Sequence, residues 1–74
     1  MSYGRTDLQK IGKKIKAARR AAPNHLTQAY IAKSVGISDT YYAQIEQGKA
    51  NPSLLIYLNI IDTIGVTSAE ILGQ

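Results

Sequence analysis

Apolar residues recur along this chain at spacings of three and four, never in strict alternation. Leu8, Ile11, Ile15, Ala18 and Ala22 make one such row, and Ile31, Val35, Tyr42 and Ile45 continue the pattern further on. Period 3.6 without period 2 predicts helices and no sheet. The breaks between rows carry their own signals. Thr6 followed by Gln9 reads as a capping box opening a first helix that Pro23-Asn24 closes. Three later starts share one device, a polar cap between two apolar residues: Thr27 between Leu26 and Ile31, Ser38 between Ile37 and Tyr42, Thr67 between Val66 and Ile71. Such an apolar pair staples the chain as it enters its helix, and Glu70 adds a capping box to Thr67. Gly36, Gly48 and Gly65 stand where helices should stop. Asn51-Pro52-Ser53 opens the fourth helix, with Asn51 or Ser53 as its cap. The pattern predicts an all-α, compact five-helix domain over residues 1–74, with helices at 7–22, 28–35, 39–47, 53–64 and 68–73 and a flexible arm at 1–5.

The stretch from Gln28 to Gly48 is the most informative. Two short helices meet at Gly36-Ile37-Ser38, a turn tight enough to force a steep crossing. Ala32 lies one helical turn before Gly36, where a small side chain lets the next helix approach. Ile31, Val35, Ile37, Tyr42 and Ile45 fall at spacings that face one shared core. Small residue, glycine, cap and apolar positions agree in register, which is the pattern of a helix-turn-helix whose second helix can lie in a major groove.

Composition narrows the partners. Nine Lys and Arg against five Asp and Glu give a net charge of +4. The excess sits in the first third as Arg5, Lys10, Lys13, Lys14, Lys16, Arg19 and Arg20, against Asp7 alone. Such a footprint suits a polyanion, although a solvated basic face that keeps the protein soluble would look the same. A membrane surface is disfavoured because the apolar row of helix 1 thins to alanines. No apolar run is long enough to span a bilayer and no signal peptide opens the chain, so a soluble, cytoplasmic protein of a prokaryote or phage is expected. With no cysteine and one histidine, His25, neither a disulfide nor a metal site is expected, and no cofactor or small-molecule ligand. No nucleophile–base pair, carboxylate dyad or glycine-rich phosphate loop points to an enzyme. A 74-residue chain has a thin core, buries only about 60% of its unfolded surface, and is often supported by a partner subunit.

The residues resemble the phage-repressor-like (Cro/C1, XRE) helix-turn-helix regulators from about Ile11 to Leu72. The telling pieces are Leu26-Thr27-Gln28, Ile31-Ala32, Val35-Gly36-Ile37-Ser38, Ile45-Glu46-Gln47-Gly48, Asn51-Pro52-Ser53 and Gly65-Val66-Thr67-Ser68 with Ile71-Leu72. The resemblance implies sequence-specific binding to double-stranded DNA, commonly as a homodimer on a palindrome. Thr40-Tyr41 followed by Asn51-Pro52-Ser53-Leu54 looks most like small stand-alone regulators, the controllers of restriction–modification systems among them. It also implies that Gln28 binds a phosphate and braces the recognition helix, and that Arg19 and Glu46 form a structural salt bridge between helices 1 and 3. In the family register Tyr42 takes the buried position and Tyr41 the outward one; the reverse assignment stays open. The loop holding His25 is about two residues longer than the family leads one to expect.

Residues near the start of helix 3 point toward the groove: Ser38, Asp39, Thr40 and Tyr41, with Gln44 one turn on. Gln44 can pair with adenine and Thr40 with a base or a thymine methyl. Asp39 has two readings, acceptor from a cytosine amino group or stabiliser of the positive helix N-terminus. Thr27 is first a cap, while Lys33 and Lys49 are candidate phosphate contacts. Lys13 and Lys14 read as no more than solvated surface. Helix 4 carries more apolar residues than one face needs. Leu54, Leu58, Ile61 and Ile64 are assigned to the core, which leaves Leu55, Ile56 and Ile60, with Ile71 and Leu72 of helix 5, for a dimer interface; the other reading is that helix 5 covers them, since Ile71 and Leu72 must pack somewhere. The alternative to a DNA-binding regulator is a helix-turn-helix module that binds another protein. The small polar and basic face of helix 3 argues for a groove, since protein hot spots favour large aromatics and arginine.

Overall fold

The computed structural model describes residues 4–72. Five helices follow one another: α1 (Arg5–Ala21), α2 (Gln28–Val35), α3 (Asp39–Gln47), α4 (Leu54–Ile64) and α5 (Ser68–Leu72). Among the described residues there is no strand.

The caps explain the boundaries. The Thr27 hydroxyl accepts the Tyr30 N–H at 3.0 Å and the Ser38 hydroxyl the Tyr41 N–H at 3.0 Å. Ser53, rather than Asn51, caps α4, accepting the Ile56 N–H at 3.3 Å. Thr67 and Glu70 close their box in both directions, at 2.9 and 3.3 Å. Each bond satisfies a backbone donor that the first turn leaves without an intrahelical partner. Gly36, Gly48 and Gly65 follow α2, α3 and α4 with φ of 85°, 75° and 92°.

The first helix starts earlier than its pattern suggests. Gly4 is the cap and Asp7 the residue that reaches back, its Oδ2 accepting the Gly4 N–H at 2.9 Å. A carboxylate is the stronger acceptor and also complements the helix dipole, so Asp7 displaces the expected Thr6–Gln9 box. Arg5, expected in an arm, is the first residue of α1; positions 1–3 of that arm and position 73 of the fifth helix lie outside the described residues.

The core gathers Ile15, Ile31, Ala32, Tyr42, Ile45, Ala50, Tyr57, Ile60, Ile61, Ile64 and Ile71, with Leu26, Val35, Ile37, Tyr41, Ile56 and Leu72 packed at its margin. Helix α1 packs on α3, α4 and α5, and α2 on α3 and α4. Two glycines make the α1–α3 contact possible. A Cβ on Gly12 would stand 2.5 Å from the Glu46 carbonyl oxygen and 2.6 Å from that of Ile45. A Cβ on Gly48 would stand 2.6 Å from Gln9 Cα, in addition to the strain of a left-handed φ.

Helix α4 is turned differently from expectation. Leu54 and Leu58, assigned to the core, are 61% and 39% exposed, whereas Ile60 is fully buried. Tyr57 and Ile60 join Ile61 and Ile64 on the inward face. Ile71 is buried as well, and Leu72 half-buried. Ile60 and Ile71 therefore belong to the core of the single chain and are not free for a dimer contact. Leu54 and Leu55 sit exposed in the first turn of α4.

Candidate nucleic-acid interface

Helix α3 has two distinct sides. Tyr42, Ile45 and Glu46 are buried, while Ser38, Asp39, Thr40, Gln44 and Gln47 are exposed. Thr40, Gln44 and Gln47 stand four and three apart, so they form one row along the outer surface. Asp39 is the first residue of the helix, where a negative charge is favoured. Tyr41 is not fully outward. It is half-buried and packs against the core beside Tyr57, whose hydroxyl is held above its ordinary pKa by burial and then by the neighbouring Tyr41.

The inner side of α3 is anchored by a polar network centred on Glu46, whose side chain is 2% exposed. Arg19 Nε donates to Glu46 Oε2 at 2.7 Å and Nη2 to Oε1 at 3.2 Å, a bidentate pairing across α1 and α3. Gln28 Nε2 donates to Glu46 Oε1 at 2.9 Å, bringing in the first residue of α2. The Tyr42 hydroxyl donates to Oε2 at 2.6 Å from one turn earlier. Arg19 Nη1 also donates to the Leu26 carbonyl at 3.2 Å. Burial pushes the Glu46 carboxyl upward, but the bonds from Arg19, Tyr42 and Gln28 outweigh it and hold the pKa below the ordinary range. Burial, then the bond to Glu46, raises the Tyr42 phenol well above its usual value, so it stays protonated and donates. A buried ion pair that is fully hydrogen-bonded fixes geometry more than it adds stability. Here it fixes how α3 is seated on α1 and α2.

Thr27, Lys33 and Lys49 are exposed. Lys49 is placed by its own backbone, its N–H closing on the Gln44 carbonyl at 2.8 Å just past α3. Gln28 is half-buried, with one amide proton committed to Glu46 and a second one left to donate. The outer face of α3 thus carries small hydrogen-bonding groups, and Lys49 follows that helix directly in the chain. His25 lies exposed in the α1–α2 loop at φ 53°. Among the described residues no cluster of His, Cys, Asp or Glu could hold a metal ion, and no helix is long and apolar enough to cross a membrane.

A helix-turn-helix family model matches residues 15–71. The chain belongs to the helix-turn-helix family of DNA-binding transcriptional regulators, of the phage-repressor-like (Cro/C1, XRE) type. One relative is the immunity repressor protein of Bacillus phage phi105, 33% identical over 64 residues; the match takes in 86% of this chain and 43% of the repressor. The chain thus spans less than half the length of that curated relative. Among solved structures it is similar to the restriction–modification controller protein C.AhdI from Aeromonas hydrophila, with a TM-score of 0.80 and 27% identity over 89% of this chain and 97% of the controller. The clp gene regulator ClgR from C. glutamicum shares the fold at a TM-score of 0.80 and 20% identity, over 89% of this chain and 82% of that one.

Three features of this helix-turn-helix were not read from the sequence. The Tyr42 hydroxyl in the Glu46 network had a visible signal in the spacing of four between them. The bond from Gln28 to Glu46 joins residues 18 apart in sequence; the family resemblance implied that Gln28 braces the recognition helix, but no spacing named Glu46 as its partner. Gly12 was legible only as a glycine inside a helical row.

Proposed function

We propose that this chain is a sequence-specific transcriptional regulator that binds double-stranded DNA with α3 in the major groove, as a homodimer on a palindromic operator. The observation that carries the reading is the exposed row of Thr40, Gln44 and their neighbours on a helix whose opposite side is locked by the Glu46 network. Gln44 offers an amide for adenine N6 and N7, and Thr40 a hydroxyl and methyl for a base edge. Asp39 serves the α3 N-terminus and can accept from a cytosine amino group. The hydroxyls of Thr27 and Ser38 each accept a capping bond, which leaves their own protons for phosphate oxygens. Tyr41, half-buried at the edge of α3, is the candidate for a phosphate or base-edge contact through its hydroxyl. Gln28, Lys33 and Lys49 supply further phosphate contacts, which set register without reading sequence.

A second copy of the chain is the partner that the α4 surface suits. Leu54 and Leu55 are 61% and 67% exposed beside Leu58 and the half-buried Ile56, an apolar patch on a small domain. Leu72 of α5 is half-buried in its turn. To read one face of the duplex, a two-fold contact there would have to set two copies of α3 about 34 Å apart, one turn of duplex.

The test is fluorescence anisotropy with the duplex upstream of the protein's own gene against a scrambled duplex, over a salt series. Preference for the upstream fragment that survives physiological salt is the expected result. Equal, weak and steeply salt-dependent binding to both would remove the specific readout. No binding to either at low salt would favour a protein-binding module, for which the α4 leucines would then be the contact.

A further inference from the structure

The sequence leaves Lys13 as solvated surface and Lys16 as one more charge of the basic first third, but the fold gives the two a common place. A hollow of about 400 Å³ lies between α1, the start of α2 and the end of α3, lined by Gln9, Lys13, Lys16, Gln28, Glu46 and Gln47. Gln9, Lys13 and Lys16 are spaced by four and three, so one face of α1 carries all of them to this hollow. Both lysines are exposed, and among the described residues the one ion pair is Arg19–Glu46. The carboxylate at the floor does not counter them. Its charge is already met by Arg19, Tyr42 and Gln28, and its side chain is 2% exposed. What faces outward is two ammonium groups and three amide side chains, rich in donors and positive in charge.

The hollow is also continuous with the outer row of α3. Thr40, Gln44 and Gln47 follow one line along that helix, and Gln47 forms the rim of the hollow. If α3 lies in a groove, the strand that borders it would run past Gln47 toward the hollow. We infer that Lys13 and Lys16, with Gln28 between α1 and α3, form a second backbone-phosphate site, which holds the DNA strand flanking the groove on the α1 side. The inference rests on the DNA-binding reading above and adds to it a cationic contact made by α1, outside the helix-turn-helix pair. Each ammonium neutralises one phosphate and displaces one condensed counterion, without contacting a base edge.

The experiment compares two double variants with equal loss of charge. Lys13→Gln with Lys16→Gln removes the cations of the hollow. Lys10→Gln with Lys14→Gln removes two exposed lysines of the same helix that do not line it. Anisotropy is followed on the upstream and scrambled duplexes, with ionic strength set by a monovalent chloride salt. For the first variant the slope of log K against log salt should become shallower by close to two, about one per lysine, with the ratio of specific to scrambled affinity unchanged. For the second the slope should hold near that of the parent chain. Equal flattening in both would overturn the site in favour of diffuse charge, and so would an unchanged slope in the first. A parent chain that binds no duplex at any salt would instead remove the DNA-binding reading, and the site with it. Circular dichroism melting of each variant confirms that the fold persists, as expected for exposed side chains without partners.

Discussion

At the scale of single residues, the α3 surface separates readout from attachment. Gln44→Ala removes an amide that can pair with adenine, and the expected loss is about 1–3 kcal/mol on the preferred duplex with binding to scrambled DNA nearly intact. Lys49→Ala removes one phosphate contact, so all duplexes weaken alike and the salt slope shallows by about one. Anisotropy across both duplexes distinguishes the two; a Gln44→Ala variant with undiminished preference would mean that α3 is not the reading helix. Glu46 offers a second residue-level prediction. Its carboxyl titrates below the ordinary range in the folded chain, against about 4.3 when unfolded. Its contribution is therefore complete above the unfolded value and is lost as pH falls through the folded one. Tyr42→Phe takes away the 2.6 Å donor and brings the carboxyl back toward its unfolded value. Stability at neutral pH should fall by about 1.5–3 kcal/mol, the cost of a hydrogen bond to a charged group. The gap in stability between pH 7 and pH 3 should also narrow, measured by urea unfolding at each pH. A Phe variant with the parent's pH dependence would show that the phenol does not tune Glu46.

At the scale of elements, the α1–α3 contact depends on a missing side chain. Gly12→Ala would add helix propensity worth roughly 1 kcal/mol in an isolated helix. In this fold the new Cβ meets two backbone carbonyl oxygens within 2.6 Å, and backbone cannot rotate aside. Net destabilisation of about 1–3 kcal/mol is expected, with α1 displaced from α3 and the Arg19–Glu46 pair loosened. Thermal melting should show it, and a melting temperature at or above the parent's would refute so close an approach. Legibility from sequence follows the same division between local and distant. Caps and stops at Thr27, Gly36, Ser38, Gly48, Gly65 and Thr67 are local chemistry, and the helices they bound lie within a residue or two of expectation. The first cap was misplaced because two capping patterns overlap there, and the carboxylate of Asp7 outcompetes Gln9. The inward face of α4 was misassigned because Leu54 to Ile61 is apolar almost all round, apart from Asn59. Periodicity cannot choose a face when nearly every face is apolar, and the buried ring of Tyr57 lies on the face that the fold turns inward. The grouping of Lys13 and Lys16 with Gln28 depends on how α1 crosses α2 and α3, which no spacing along the chain encodes.

For the whole molecule, the question is whether two copies act together. The structure leaves Leu54, Leu55 and Leu58 outside a core that is complete without them, so changing them should not unfold the single chain. A variant carrying Leu54→Glu and Leu55→Glu sets like charges against each other across any two-fold contact on α4, while each exposed Glu is harmless to a monomer. Sedimentation should show a dimer for the parent chain and a monomer for the variant at the same concentration. The parent's melting temperature should rise with protein concentration and the variant's should not, because association stabilises only the folded state. On DNA the variant should retain half-site binding but lose the added affinity of two linked half-sites. Geometry supplies the companion measurement. Two copies of α3 about 34 Å apart fit half-sites one duplex turn apart. Inserting five base pairs between the half-sites rotates one of them to the opposite side of the helix and should abolish paired binding. A parent chain that sediments as a monomer both free and on DNA, and that tolerates the insertion, would refute the dimer. The α4 leucines would then have to be explained by a different partner.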